Sequence, residues 1–247
     1  MLLEKLGHKV WRLTQIIGDW QAIRIYQQGY DIDLYLKLSQ SKLLEKININ
    51  TVIDIGAYKG KWSYIVNLLR PQATIFAFEP AREQINRLNQ LSFINKVFPV
   101  ALGAAREMRP FYVNAKPQSS SLFHLGKDTN RFFSSLSESE ELLVQVEKLD
   151  SLLATEQLKD GILVKMDVQG AEADVINGGK DILSRSRAVI VEINYAMFYE
   201  GQPTFSQICH KLNDLGFEYF GALNEHRDQE TKLVIFEDAL FVRGNLW

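Results

Sequence analysis

Two carboxylates 25 residues apart each close an apolar run: Val52-Ile53-Asp54-Ile55-Gly56-Ala57-Tyr58-Lys59-Gly60 and Ile75-Phe76-Ala77-Phe78-Glu79-Pro80. The first run reads as a buried strand that opens through two glycines into a helix, residues 61–69. The second reads as the next parallel strand, with its acid at the carboxyl end. Continuous apolar strands of this kind belong to sheets covered on both faces. In an open α/β sheet the crevice beyond the strand ends is where nucleotide-like ligands bind.

The rest of the chain continues the pattern. Strands are expected at 51–55, 74–79, 96–101, 161–167, 187–193, 217–220 and 233–243, and helices at 61–69, 81–91, 149–156, 171–177 and 204–214. Alternation of strand and helix argues a mainly parallel α/β sheet. Only the polar stretch 224–232 separates the last two strands, which predicts an antiparallel hairpin at the sheet edge. Residues 103–142 break the rhythm. They hold a short expected strand at 109–113, Val144-Gln145-Val146 follows, and the Glu/Ser-rich run 134–141 reads as a solvated, mobile face. An insertion of this length in a compact domain is expected to serve as a lid or substrate loop.

Residues 1–47 stand apart as a helical extension to a domain spanning 48–247. Leu3, Leu6, Val10, Leu13, Ile17 and Trp20 recur at helical spacing. Such a stripe packs on the body of the protein, joins two copies into a homodimer, or lies on a membrane surface; half-burial against protein is the ordinary use. A further helix is expected from Asp33 to Lys46. With 247 residues, 46% hydrophobic and 23% charged, the composition is that of a globular protein. A formal net charge of −2 offers no general attraction to phosphate backbones, which argues against a nucleic-acid partner. Cys209 is the only cysteine, so no intrachain disulfide forms. With no apolar window near the ~20 residues of a membrane span, the expectation is a cytoplasmic protein.

The glycine turn narrows the ligand. A dinucleotide fingerprint is G-x-G-x-x-G, whereas this chain has Gly56-x-x-x-Gly60 after Asp54. That turn suits a ligand without phosphates, and S-adenosylmethionine is one: its ammonium meets a carboxylate and its carboxylate meets helix N–H groups. Glu79 fits the same ligand, because a carboxylate accepts two hydrogen bonds from a ribose diol. A third segment, Lys165-Met166-Asp167-Val168-Gln169-Gly170-Ala171-Glu172, ends a buried strand in Asp167 and starts a helix with Glu172. Burial of Lys165 implies pairing with one of these acids. Plain structural roles stand beside the functional ones: helix capping for Asp167 and dipole pairing for Glu172.

Together these segments resemble the FkbM family of S-adenosylmethionine-dependent methyltransferases. The resemblance spans roughly 51–242 and includes Val191-Glu192-Ile193-Asn194 and Asp238-Ala239-Leu240-Phe241-Val242. It departs at Gln169, where the family commonly has an acid. The resemblance implies a Rossmann-like class I methyltransferase with a seven-stranded sheet, and methyl transfer mostly to oxygen, on a small molecule, a sugar, a polysaccharide precursor or another natural product. It implies a methionine-end pocket from Asp54, Gly56, Ala57, Tyr58 and Gly60, a ribose site at Glu79 and Pro80, and an adenine site at Ala101 and Leu102. Asp167 would face the reactive end as cofactor ligand and base, with His124 and Glu172 as further catalytic candidates. No metal ligand set is diagnostic, although Asp167, Glu172 and Glu192 are acids that could gather around a divalent ion. An NAD-dependent oxidoreductase and a non-catalytic adenosine-binding protein are the alternatives.

Overall fold

The structure is a computed structural model, and it describes residues 18–133 and 135–244. Its centre is a sheet in the order β3-β2-β1-β7-β8-β10-β9, built from β1 (Thr51–Ile55), β2 (Thr74–Phe78), β3 (Lys96–Phe98), β7 (Ile162–Met166), β8 (Ser186–Asn194), β9 (Glu218–Arg227) and β10 (Val234–Val242). All five residues of β1 and of β7 are buried. Helices on both faces make this possible and explain the unbroken apolar runs. The strands β1, β2, β3, β7 and β8 are mutually parallel, and β10 runs antiparallel to both β8 and β9. This is a Rossmann-like, mainly parallel seven-stranded sheet with a C-terminal antiparallel hairpin, as the sequence predicts. Because β1 has β2 on one side and β7 on the other, the strand order reverses there, and the crevice opens beyond their carboxyl ends.

Among the described residues three helices precede β1: α1 (Trp20–Gln27), α2 (Ile32–Ser41) and α3 (Leu43–Lys46). Asp19 and Asp31 cap the first two by accepting backbone N–H bonds. The single helix expected over 33–46 is broken at Lys42, whose φ of 53° is left-handed. Ala22, Ile25, Leu38 and Leu44 bury themselves in the same cluster as Val52, Ile75, Leu163 and Ile190 of the central sheet. Trp20, expected on the buried stripe, is instead 82% exposed. The remainder of that stripe, Leu3 to Ile17, lies outside the described residues. Among the described residues no helix is long and apolar enough to cross a membrane.

The insertion is more ordered than its sequence suggests. It forms a second sheet in the order β4-β6-β5, from β4 (Ala101–Leu102), β5 (Glu107–Asn114) and β6 (Glu138–Glu147). Much of the Glu/Ser run therefore belongs to β6, with its acidic side chains exposed on a strand backbone. The strand expected over 96–101 stops at Phe98. Pro99 has no N–H to continue the ladder, and Ala101 and Leu102 pair with Val146 and Glu147 instead. Short helices follow the body strands: α4 (Lys61–Leu69), α5 (Arg82–Leu88), α7 (Leu149–Leu153), α8 (Glu172–Gly178), α9 (Lys180–Arg185) and α10 (Phe205–Asp214), with α6 (Thr129–Phe132) inside the insertion.

Candidate active site

The turn after β1 is built around Gly56. Its φ is +77°, and a Cβ there would sit 2.0 Å from the carbonyl oxygen of Asp167. Only glycine lets the ends of β1 and β7 approach this closely. The N–H groups of Gly56 and Ala57 both donate to the carbonyl of Phe78, which ties the turn to β2. Glu79 completes the tie. Its Oε2 accepts the Tyr58 N–H and its Oε1 accepts the Ala81 N–H, each at 2.9 Å. Burial pushes its carboxyl up to about 7, against the pull of those two bonds. Each oxygen keeps a lone pair for a ligand.

Glu79, Pro80, Gly56 and Tyr58 form one side of a cleft that encloses about 540 Å³, counting space open to solvent. Ala101, Leu102, Phe111 and Leu122 form an apolar side contributed by the insertion and the segment before it. Asp167, Val168 and Gln169 also line it. Three residues expected in the methionine-end pocket are not part of this lining. Asp54 is fully buried; its Oδ2 accepts the Ser63 hydroxyl at 2.6 Å, and Lys165 Nζ lies 3.8 Å from Oδ1. Ala57 packs with Ala77 and Leu88. Gly60 is the left-handed N-cap of α4, where a Cβ would strike Leu91 at 2.6 Å.

Asp167 follows β7 with its side chain 28% exposed. Lys165 donates to its Oδ2 at 3.0 Å. Burial disfavours the Lys165 ammonium, but Asp167 and Asp54 outweigh that and raise its pKa, so it stays charged. The next turn carries Gln169 at a left-handed φ of 58°. Its Nε2 donates to Asp167 Oδ1 at 2.5 Å and to Glu192 Oε1 at 2.8 Å, while its Oε1 accepts the Tyr199 hydroxyl. An amide with donors on one end and an acceptor on the other fits this set in one orientation only. Glu172 turns away from the cleft. It is 2% exposed and accepts the N–H groups of Val168 and Gly170, so it clamps the loop that carries Asp167. Burial raises Glu172 to about 7. That placement corrects the expectation of Glu172 as a catalytic group.

A second cavity of about 770 Å³, again counting open space, adjoins the first. Asp167, Gln169 and Gln118 are common to both linings. The second adds Glu192 and Asn194 from β8 together with Phe198, Tyr199 and Phe236. His124 belongs to neither lining. It is about half exposed, sits 3.1 Å from the Glu138 carboxylate and lies tilted against the Tyr112 ring, 3.9 Å between centroids. The structure thus does not bring it to Asp167. Tyr199 was not legible as a site residue, because nothing in Phe198-Tyr199-Glu200 sets it apart from an ordinary loop. Among the described residues no group of three or more His, Cys, Asp or Glu side chains is arranged to hold a metal ion.

The profile of the methyltransferase FkbM domain matches residues 54–219, two thirds of the chain. The chain belongs to the FkbM methyltransferase family. As a member of it, the protein is a methyltransferase that uses S-adenosylmethionine. A relative, the 2-O-methyltransferase NoeI of Sinorhizobium fredii, is 30% identical over 183 residues, covering 69% of this chain and 73% of its own. The hexuronic acid methyltransferase AglP of Haloferax volcanii is 23% identical over 189 residues, covering 75% of this chain and 66% of its own. Among solved structures, magnesium protoporphyrin IX methyltransferase from Synechocystis PCC 6803 superposes with a TM-score of 0.46 at 15% identity, over 96% of this chain and 91% of that one.

Proposed function

We propose that this FkbM methyltransferase transfers a methyl group to a hydroxyl oxygen of a sugar or related small acceptor, with Asp167 as the general base. The observation that carries the reading is the position of Asp167, among the described residues the one carboxylate common to the cofactor-type cleft and the second cavity. The names of two relatives, a 2-O-methyltransferase and a hexuronic acid methyltransferase, support oxygen and a sugar as targets.

The residues of the cleft fit S-adenosylmethionine. Glu79 offers two lone pairs, one on each oxygen, for a ribose diol. Ala101 and Leu102 give the flat, apolar wall an adenine needs, and Gly56 and Tyr58 border the methionine end. Asp54 acts from behind, holding Lys165 and Ser63 in place. When bound, the cofactor supplies a methyl group already activated on a positive sulfonium. What remains for the protein is alignment and proton removal. Asp167 accepts the hydroxyl proton, Lys165 donates to one of its oxygens, and Gln169 fixes the other. Gln169 has no basicity of its own, so the family's usual acid at this position is replaced by an amide that orients. A cytoplasmic location completes the reading, supported by a lone cysteine with no disulfide partner in the chain.

The test is methyl transfer from S-adenosylmethionine to a panel of glycosides, followed by product mass. Asp167→Asn keeps size while removing basicity, and turnover should fall by about 10²–10⁴, with little change in affinity for S-adenosylhomocysteine. If affinity collapses while turnover at saturation is normal, Asp167 is a cofactor ligand only. Binding of NAD in preference to S-adenosylhomocysteine would overturn the reading.

A further inference from the structure

The second cavity has a composition that narrows the acceptor further. Its polar groups come in a set. Asp167 Oδ1 and Glu192 Oε1 accept from the same nitrogen of Gln169, at 2.5 and 2.8 Å, so the two carboxylates stand side by side. Glu192 Oε2 accepts no hydrogen bond among the described residues. Asn194, two residues along β8, is 8% exposed and its side-chain amide has no hydrogen-bond partner among the described residues, yet it lines the cavity. Its amide atoms are not among the buried unpartnered ones, so they reach the open cavity, where a ligand can meet them. Burial and the neighbouring carboxylates of Asp167, Asp238 and Glu172 raise Glu192 well above the usual carboxylate range, with Lys165 opposing. Glu192 therefore holds its proton above the usual carboxylate range, and it can donate as well as accept.

The remaining wall is aromatic. Phe198 lies 5.1 Å from Phe133 and 6.5 Å from Phe236, and all three line the cavity. A pocket with two adjacent acids, a free amide and an aromatic wall matches a ring whose edge carries neighbouring hydroxyls and whose face carries C–H groups. We propose that this cavity is the acceptor site and selects a vicinal diol on a saturated ring, as in a pyranose. Asp167 takes the hydroxyl to be methylated, Glu192 takes the adjacent hydroxyl, Asn194 takes a third polar group, and the ring's C–H face lies on Phe198 and Phe236. Glu192 is then the residue that tells a carbohydrate from a phenol or an isolated alcohol. A site built to bond a substrate hydroxyl rejects analogues lacking it, because its buried polar groups are left unpaired.

This assignment rests on the methyltransferase reading, and the experiment separates the two. The protein is saturated with S-adenosylhomocysteine, verified by calorimetry, and saturation-transfer difference NMR is recorded with methyl gluco-, galacto-, manno- and fucopyranosides, cyclohexanol, phenol and catechol. At least one pyranoside should receive saturation, and the three other probes should not. Glu192→Ala, which removes both the donor and the acceptor, should weaken that signal by about fivefold or more, the loss of one good hydrogen bond, while affinity for S-adenosylhomocysteine stays within about twofold. Should Glu192→Ala fail to bind S-adenosylhomocysteine, Asn194→Ala carries the same test. Saturation of phenol, catechol or cyclohexanol equal to that of every pyranoside overturns the proposal. So does the absence of any pyranoside signal, or a signal indifferent to the substitution. Failure of the wild-type protein to bind S-adenosylhomocysteine would instead overturn the methyltransferase reading beneath it.

Discussion

Glu79 holds a proton to about pH 7 because burial outweighs the two backbone bonds that favour its charge. Ribose hydroxyls donate best to the ionised form. Affinity for S-adenosylhomocysteine should therefore rise as pH increases toward about 7 and level off above it. Glu79→Gln should remove that dependence and weaken binding by about 1.5–3 kcal/mol; calorimetry from pH 5.5 to 8.5 reads both effects. The same raised pKa acts on folding with the opposite sign. Between about 4.5 and 7 the native state binds a proton that the unfolded chain has released, so this group's contribution to stability declines as pH rises through that window. Glu79 was legible because an acid closing an apolar run beside a proline has few structural uses. Asp54 and Glu172 looked equivalent to it in sequence. What separates them is direction: Asp54 points to Ser63 and Lys165 behind the sheet, and Glu172 points back at its own loop. Strand and helix periodicity does not encode that choice.

Elements were legible where a single physical cause sets them and obscure where partners do. The seven-stranded sheet follows from apolar runs of the right length separated by helical patterns, and the hairpin follows from a polar connection too short for a crossover. β6 was half hidden, since its Glu138–Glu141 start is exposed and acquires strand geometry only through pairing with β5. The break between α2 and α3 is likewise silent in sequence, because Lys42 is not a residue that advertises a left-handed φ. The turn after β1 permits a sharper test. Gly56→Ala places a methyl group against the Asp167 carbonyl in addition to the strain of φ +77°. Gly29→Ala meets the strain alone, at φ +68° with nothing within 4 Å. Urea denaturation should show a loss of about 1–2 kcal/mol for Gly29→Ala and more than about 3 kcal/mol for Gly56→Ala. Equal losses would mean that β1 and β7 can part without penalty, contrary to the packing of their ends.

At the scale of the molecule, the amino-terminal helices behave as part of the core. Ile25, Tyr35, Leu38 and Leu44 are each at most 2% exposed and share a cluster with Leu163 and Ile190, which belong to the two central strands β7 and β8. Two polar contacts reinforce the seat: the Tyr35 hydroxyl donates to Asp19 at 2.9 Å, and Asn224 on β9 reaches Asp31 at 3.4 Å. Deleting residues 1–46 would uncover one face of the sheet. Each Leu or Ile thereby exposed forfeits about 1.5–3 kcal/mol of burial, and a handful of such losses matches the whole stability of a domain, about 5–15 kcal/mol. The truncated protein should therefore aggregate or fail to bind S-adenosylhomocysteine, as read by size-exclusion chromatography and calorimetry. A membrane-surface role for the same helices makes a different prediction. In that case the truncated chain would stay monomeric, keep its cofactor affinity and lose flotation with liposomes that the full chain shows. The helical spacing of apolar residues favoured packing without excluding a membrane surface. The difference lies in what the apolar faces meet, and Ala22, Ile25, Leu38 and Leu44 of α1, α2 and α3 meet the sheet that carries Asp167.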